Sequence, residues 1–145
     1  MRVLLQRVTS AEVRVSGRVV GAIDSGLLAF VGMERGDDDA TVERMAGRIA
    51  GYRMFADEQG RMNRSVGDVG GSVLLVSQFT LAADTGKGLR PGFSRAAEPQ
   101  EARRLCDALA AGLRDSGLPV AEGEFGADMQ VSLVNDGPVT FFINL

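Results

Sequence analysis

The fold turns on Gly70-Gly71-Ser72-Val73-Leu74-Leu75-Val76-Ser77-Gln78-Phe79-Thr80. A short apolar run entered through glycines and left through consecutive polar residues reads as a buried strand over residues 73–78, not as a turn of helix. Upstream, residues 2–8 and 11–23 alternate as strands. Ser16-Gly17 punctuates a hairpin between Glu12-Val13-Arg14-Val15 and Arg18-Val19-Val20. Leu27 to Met33 is a fuller apolar run between Gly26 and the Gly36-Asp37 turn, and is expected to be an interior strand.

Two helices interrupt these strands. From Asp39 to about Met54, Val42, Met45, Ala46, Ile49 and Tyr52 recur at helical spacing with Glu43, Arg44 and Arg48 outside the stripe. The second helix carries Pro99 near its first turn and an apolar stripe at Ala102, Leu105, Cys106, Leu109 and Leu113, and Gly117 and Pro119 stop it. Between strand and helix, residues 82–97 form a loop long enough to carry function. The chain then closes with alternating strands over 128–134 and 139–144, joined through Asn135-Asp136-Gly137-Pro138. Strands dominate and helices do not alternate with them. One α+β domain over residues 1–145 is therefore expected, with a curved, largely antiparallel, barrel-like sheet and the two main helices packed on one side.

Composition narrows the chemistry. The 145 residues contain no histidine, one cysteine, one tyrosine and a single lysine, Lys87. Catalysis would have to use hydroxyls, amides, carboxylates, backbone dipoles or the substrate itself. A zinc site lacks its ligands, so no metal and no cofactor are expected. The run Asp37-Asp38-Asp39 reads as helix capping before it reads as a cation site. Residues 1–7 hold no stretch suited to a signal peptide, no apolar segment nears the ~20 residues that span a bilayer, and the lone Cys106 fits a reducing compartment. The expectation is a cytoplasmic protein without membrane contact.

A net charge of −3 gives no general attraction to nucleic acid, DNA included. An RNA partner would need a local basic surface, and Gly86-Lys87-Gly88-Leu89-Arg90-Pro91-Gly92-Phe93-Ser94-Arg95 offers one, with three cations, an aromatic ring and glycines. The same residues also suit a plain solvated loop.

Two polar segments have either a structural or a chemical reading. Ser77, Gln78 and Thr80 could simply finish a strand. Alternatively the N–H groups of Phe79 and Thr80, leaving the ladder, could stabilise the developing charge on an acyl oxygen, an effect worth roughly 3 kcal/mol per donor. Asn135-Asp136-Gly137 is ordinary turn chemistry. Yet Gly137-Pro138 stands directly before a strand, and a cis bond there would fix two carbonyl groups in one direction, as a gate against one stereochemistry of ligand.

Together the two segments closely resemble those of the D-aminoacyl-tRNA deacylases of the D-tyrosyl-tRNA deacylase type. The resemblance runs from Leu5-Gln6-Arg7-Val8 through Gly70-Gly71-Ser72-Val73 and Ser77-Gln78-Phe79-Thr80-Leu81 to Asp128-Met129-Gln130-Val131 and Asn135-Asp136-Gly137-Pro138-Val139-Thr140-Phe141. It implies hydrolysis of the ester joining a D-amino acid to the terminal adenosine of tRNA, rejection of L-aminoacyl-tRNA, and removal of glycine mischarged onto alanine tRNA. It implies a homodimer with active sites at the interface, catalytic work at Ser77, Gln78, Phe79 and Thr80, and a cis Gly137-Pro138 reaching into the partner's pocket. Asn135 belongs to the same substrate-binding segment, Arg7 would brace it, and Phe125 and Met129 would hold adenine. Thr80 as a covalent nucleophile remains a rival, although it lacks the amine or histidine such a residue uses. Two other classes also stay open: an inert module that binds RNA ends, and a purely structural dimeric β protein.

Overall fold

The computed structural model describes all 145 residues. Strand β1 (Arg2–Val15) turns at Ser16-Gly17, both at positive φ, into β2 (Arg18–Ile23), and β3 (Gly26–Gly32) comes after it. Helix α1 (Asp39–Gly51), a two-stranded ribbon of β4 (Phe55–Ala56) and β5 (Met62–Arg64), and β6 (Ser72–Ser77) come next. A 3₁₀ turn (Phe79–Ala82), α2 (Pro99–Asp115), β7 (Val120–Glu122) and β8 (Gln130–Asn144) complete the chain.

The main sheet runs β2-β1-β3-β6-β7, with β8 pairing β1 on its other side. Pairings around β1 are antiparallel, whereas β3–β6 and β6–β7 are parallel. The sheet is therefore mixed and curls until its β2 and β7 ends nearly meet. A Cβ on Gly21 would stand 2.3 Å from the Glu122 carbonyl oxygen.

Strand alternation separates two apolar cores. Val3, Leu5, Leu27, Ala29, Val73 and Leu75 face α1 and α2, whose stripes supply Met45, Ile49, Leu105 and Leu109. Their in-between neighbours Val8, Leu28, Leu74 and Val76 face inward with Ala11, Val13 and Ile23 to fill the barrel. Both helices thus lie on one side, as the sequence predicts.

Three local readings are revised, and one strand is added. Helix α1 stops at Gly51, because Tyr52 is extended, instead of running to Met54. Residues 9 and 10 do not break β1: register shifts flanking Val8 absorb the irregularity within one strand. The two C-terminal strands are one strand, β8, with residues 136–139 bulging from its pairing with β1. β7 has no sequence signal of its own, lying between Pro119 and Gly123.

The aspartates at the start of α1 are committed to local structure. Asp37 accepts the Glu34 N–H at 2.7 Å, Asp38 caps the helix by accepting from the Thr41 N–H at 2.8 Å, and Asp39 pairs with Arg104. The Thr41 hydrogen bonds hold the Asp38 carboxyl below its usual range.

Candidate active site

At the end of β6 the chain leaves the sheet. The Gln78 N–H gives the last bond to β3, reaching the Val31 carbonyl at 2.7 Å, and the backbone then tightens into the 3₁₀ turn. In that turn Leu81 N–H donates to the Gln78 carbonyl at 3.1 Å and Ala83 N–H to Thr80 at 3.1 Å. The N–H groups of Phe79 and Thr80 precede the first of these bonds, and no side chain caps the turn, so they are its orphan donors.

Two features seat the turn there. A Cβ on Gly32 would lie 2.9 Å from the Gln78 carbonyl oxygen, so the missing side chain lets β3 and the turn approach. The Arg2 guanidinium, ion-paired with Glu34, donates to the Leu81 carbonyl at 2.9 Å and pins the turn's far end. Neither residue was singled out by sequence reasoning, because nothing local to Arg2 or Gly32 signals a contact tens of residues away. The Gln78 side-chain amide donates to the Thr80 hydroxyl.

Beside the turn opens a cleft of about 510 Å³, walled by β3, β6, the start of α2 and the segment before β8. Ser77, Gln78 and Phe79 share its lining with Phe125 and Met129, residues 46 and 50 positions beyond Phe79 in the chain, whereas Thr80, next along the turn, is exposed and does not line it. Most of the lining is apolar, and the Arg103 guanidinium lies 5.9 Å from the Phe125 ring centroid. Cys106 also touches the cleft, but burial, with Asp107 and Glu122 nearby, pushes its thiol up to about 12. It is therefore a poor nucleophile at neutral pH. No group of three or more His, Cys, Asp or Glu side chains is placed to hold a metal ion.

The other expected site residues lie elsewhere. Arg7, Asn135, Gly137 and Pro138 do not line this cleft; they sit together on the β1–β8 pair. Asn135 closes the bulge. Its amide donates to the Arg7 carbonyl at 2.8 Å and the Val139 carbonyl at 3.0 Å, while its oxygen accepts the Val139 N–H at 3.2 Å. Arg7 reaches the Asp136 carbonyl at 3.0 Å and the Met54 carbonyl at 2.8 Å. The exposed Gly137-Pro138 peptide is cis.

A family profile described as D-Tyr-tRNA(Tyr) deacylase matches residues 4–144. The chain belongs to that family. It is 61% identical over 145 residues to a D-aminoacyl-tRNA deacylase of Alcanivorax borkumensis, with all of both chains covered. It is 60% identical over 143 residues to one of Methylococcus capsulatus, covering 99% of this chain and 94% of the relative. A solved structure titled c-Myc DNA Unwinding Element Binding Protein superposes with a TM-score of 0.94 at 36% identity, covering 100% of this chain and 99% of that one.

Proposed function

We propose that this chain hydrolyses the ester of D-aminoacyl-tRNA by holding the reacting carbonyl with main-chain amides, with no side-chain base. The activity follows from the family, whose members at 60–61% identity are D-aminoacyl-tRNA deacylases. The observation that carries the mechanism is the pair of orphan N–H groups at Phe79, which lines a cleft large enough for a nucleoside, and Thr80, the next residue of the turn at its edge. As water adds to the ester carbon, negative charge grows on the carbonyl oxygen, and those two donors are oriented before the reaction begins. The ribose 2′-hydroxyl beside the ester relays the water's proton to the departing 3′-oxygen, so that the acyl C–O bond breaks to give the free amino acid and the tRNA 3′-hydroxyl. An ester is already an activated acyl group, so positioning and charge stabilisation suffice.

The terminal adenine sits against Phe125 and Met129. The nucleophilic alternative for Thr80 is disfavoured because its hydroxyl accepts from Gln78 and has no histidine to deprotonate it. Selectivity is assigned to main-chain atoms of Gly137-Pro138, supplied by the partner of a homodimer. The separation of that bulge from the cleft of its own chain favours action in trans. Glycine, with no side chain to meet such a gate, passes it, which extends the activity to glycine mischarged onto alanine tRNA. A tRNA substrate favours the cytoplasm as its place of work.

D-Tyrosyl-tRNA and its 2′-deoxy counterpart at the terminal adenosine test the mechanism. Loss of turnover by at least about a hundredfold on the deoxy ester is expected, in the range assigned to proton-transfer assistance. Thr80→Ala retains its amide and should keep most of the activity. A trapped acyl-enzyme on the parent, abolished in Thr80→Ala, would replace this mechanism with covalent catalysis. Release of no free amino acid from the parent would leave an inert RNA-end binder.

A further inference from the structure

We propose that the loop over residues 86–95 is a phosphate-binding arm that grips the acceptor stem of the RNA whose 3′ end occupies the cleft. This rests on the deacylase reading and adds the surface that holds the rest of the substrate. The loop is a projecting hairpin with a defined neck: Asp84 and Gly92 exchange both backbone hydrogen bonds, at 2.7 and 3.0 Å, and the Asp84 side chain accepts the Gly86 N–H at 2.9 Å. Below the neck the chain is tied to the segment just beyond β3, through Arg35 N–H to the Arg95 carbonyl and Ala97 N–H to the Met33 carbonyl. The arm is therefore held at its base, where Arg95 sits, while Lys87 and Arg90 stand on the tip in solvent.

The cations of this arm are left without carboxylate partners. Arg2, Arg7, Arg14, Arg35, Arg64, Arg104 and Arg114 each hold a carboxylate; Lys87, Arg90 and Arg95, like several scattered surface arginines, hold none, but these three fall within nine consecutive residues. All three are exposed or nearly so, and Leu89 between the first two is 104% exposed, an apolar side chain with no intramolecular contact to justify it. On a protein of net charge −3, a cluster of unneutralised cations is a local attraction for a polyanion.

The arm is also continuous with the cleft. Phe93, just past its neck, packs on Phe79 with ring centroids 5.0 Å apart at 53°. Phe79 lines the cleft. An RNA end seated there leads its sugar-phosphate chain past this aromatic pair towards the arm. Such contacts carry charge recognition without base readout, so they serve tRNAs of different sequence alike.

The test compares two triple variants of equal charge change: Lys87→Ala/Arg90→Ala/Arg95→Ala on the arm, and Arg44→Ala/Arg48→Ala/Arg61→Ala on exposed surface elsewhere. Affinity for uncharged tRNA is read by fluorescence anisotropy across a salt series, and D-tyrosyl-tRNA deacylation by the parent is measured separately. The arm variant should bind roughly tenfold or more weakly near 0.1 M salt, and its log K against log salt slope should be shallower by about 2 to 3, one phosphate contact per cation. In deacylation its KM should rise while kcat at saturation holds. Equal affinity and slope in the two variants would overturn the proposal while leaving a deacylating parent intact. A parent that releases no amino acid, yet loses tRNA binding only in the arm variant, would remove the catalytic reading and keep the arm.

Discussion

Asn135 and Cys106 show how far one side chain could be read from the chain alone. Asn135 was visible as part of a turn-forming segment, but its use was not: the three hydrogen bonds that close the β8 bulge involve Arg7, 128 residues away, and Val139. Cys106 was placed correctly on the buried stripe of α2 by spacing alone. Its acidity depends on packing, and here it yields a measurable consequence. The thiol titrates at about 12 in the folded chain against an ordinary value of 9.0, chiefly through burial. Between these values the unfolded chain has released the proton and the folded chain retains it, so stability falls as pH rises through this window. Urea unfolding at pH 8 and pH 10 should show the parent losing about 1 kcal/mol more than Cys106→Ala, the variant serving to cancel every other titrating group. Parallel losses in the two proteins would mean that the thiol is open to solvent. Thiol alkylation at pH 8 should likewise be slow until denaturant is added.

Elements with a strong internal period were the readable ones. The apolar runs of β3 and β6 and the stripes of α1 and α2 appear where patterning puts them, since each buries a face that its own sequence defines. Pairing was less accessible. That β3 and β6 run parallel depends on α1 and the β4–β5 ribbon intervening between them, a connection whose direction no local pattern encodes. β7 is three residues long and exists because β6 offers it an edge. The seam between β2 and β7 depends on Gly21, and this can be tested. In Gly21→Ala the new methyl would meet the Glu122 carbonyl oxygen, so backbone must move. A loss of roughly 1–3 kcal/mol in urea unfolding is expected, as for other overpacked sites. Because β7 leads into the Phe125–Met129 wall of the cleft, KM for D-aminoacyl-tRNA should rise as well. Unaltered stability would mean that the seam is loose and the barrel open there.

For the assembled molecule, the proposed dimer makes the strictest demand, because cleft and gate lie apart within one chain. β8 supplies a 15-residue strand paired only with β1, and its Val134 and Phe142 are 56% and 54% exposed. A long open edge with apolar side chains favours association. Sedimentation should therefore give twice the chain mass, and Phe142→Asp should shift it towards monomer. Mixed dimers decide whether the gate acts in trans. One chain carries a disabled cleft, Phe79→Pro with Thr80→Pro, which removes both proposed donors; the other carries an altered gate, Gly137→Ala with Pro138→Ala. The gate-altered homodimer should cleave L-aminoacyl-tRNA, and the cleft-disabled homodimer should cleave nothing. If each gate serves the partner's cleft, the mixed dimer has one working cleft, guarded by the intact gate of the disabled chain, and cleaves D- but not L-aminoacyl-tRNA. If each gate serves its own cleft, that working cleft is the unguarded one and L-cleavage persists. Purified heterodimer carrying two different tags separates these outcomes, since only the first requires two chains for a single selective site.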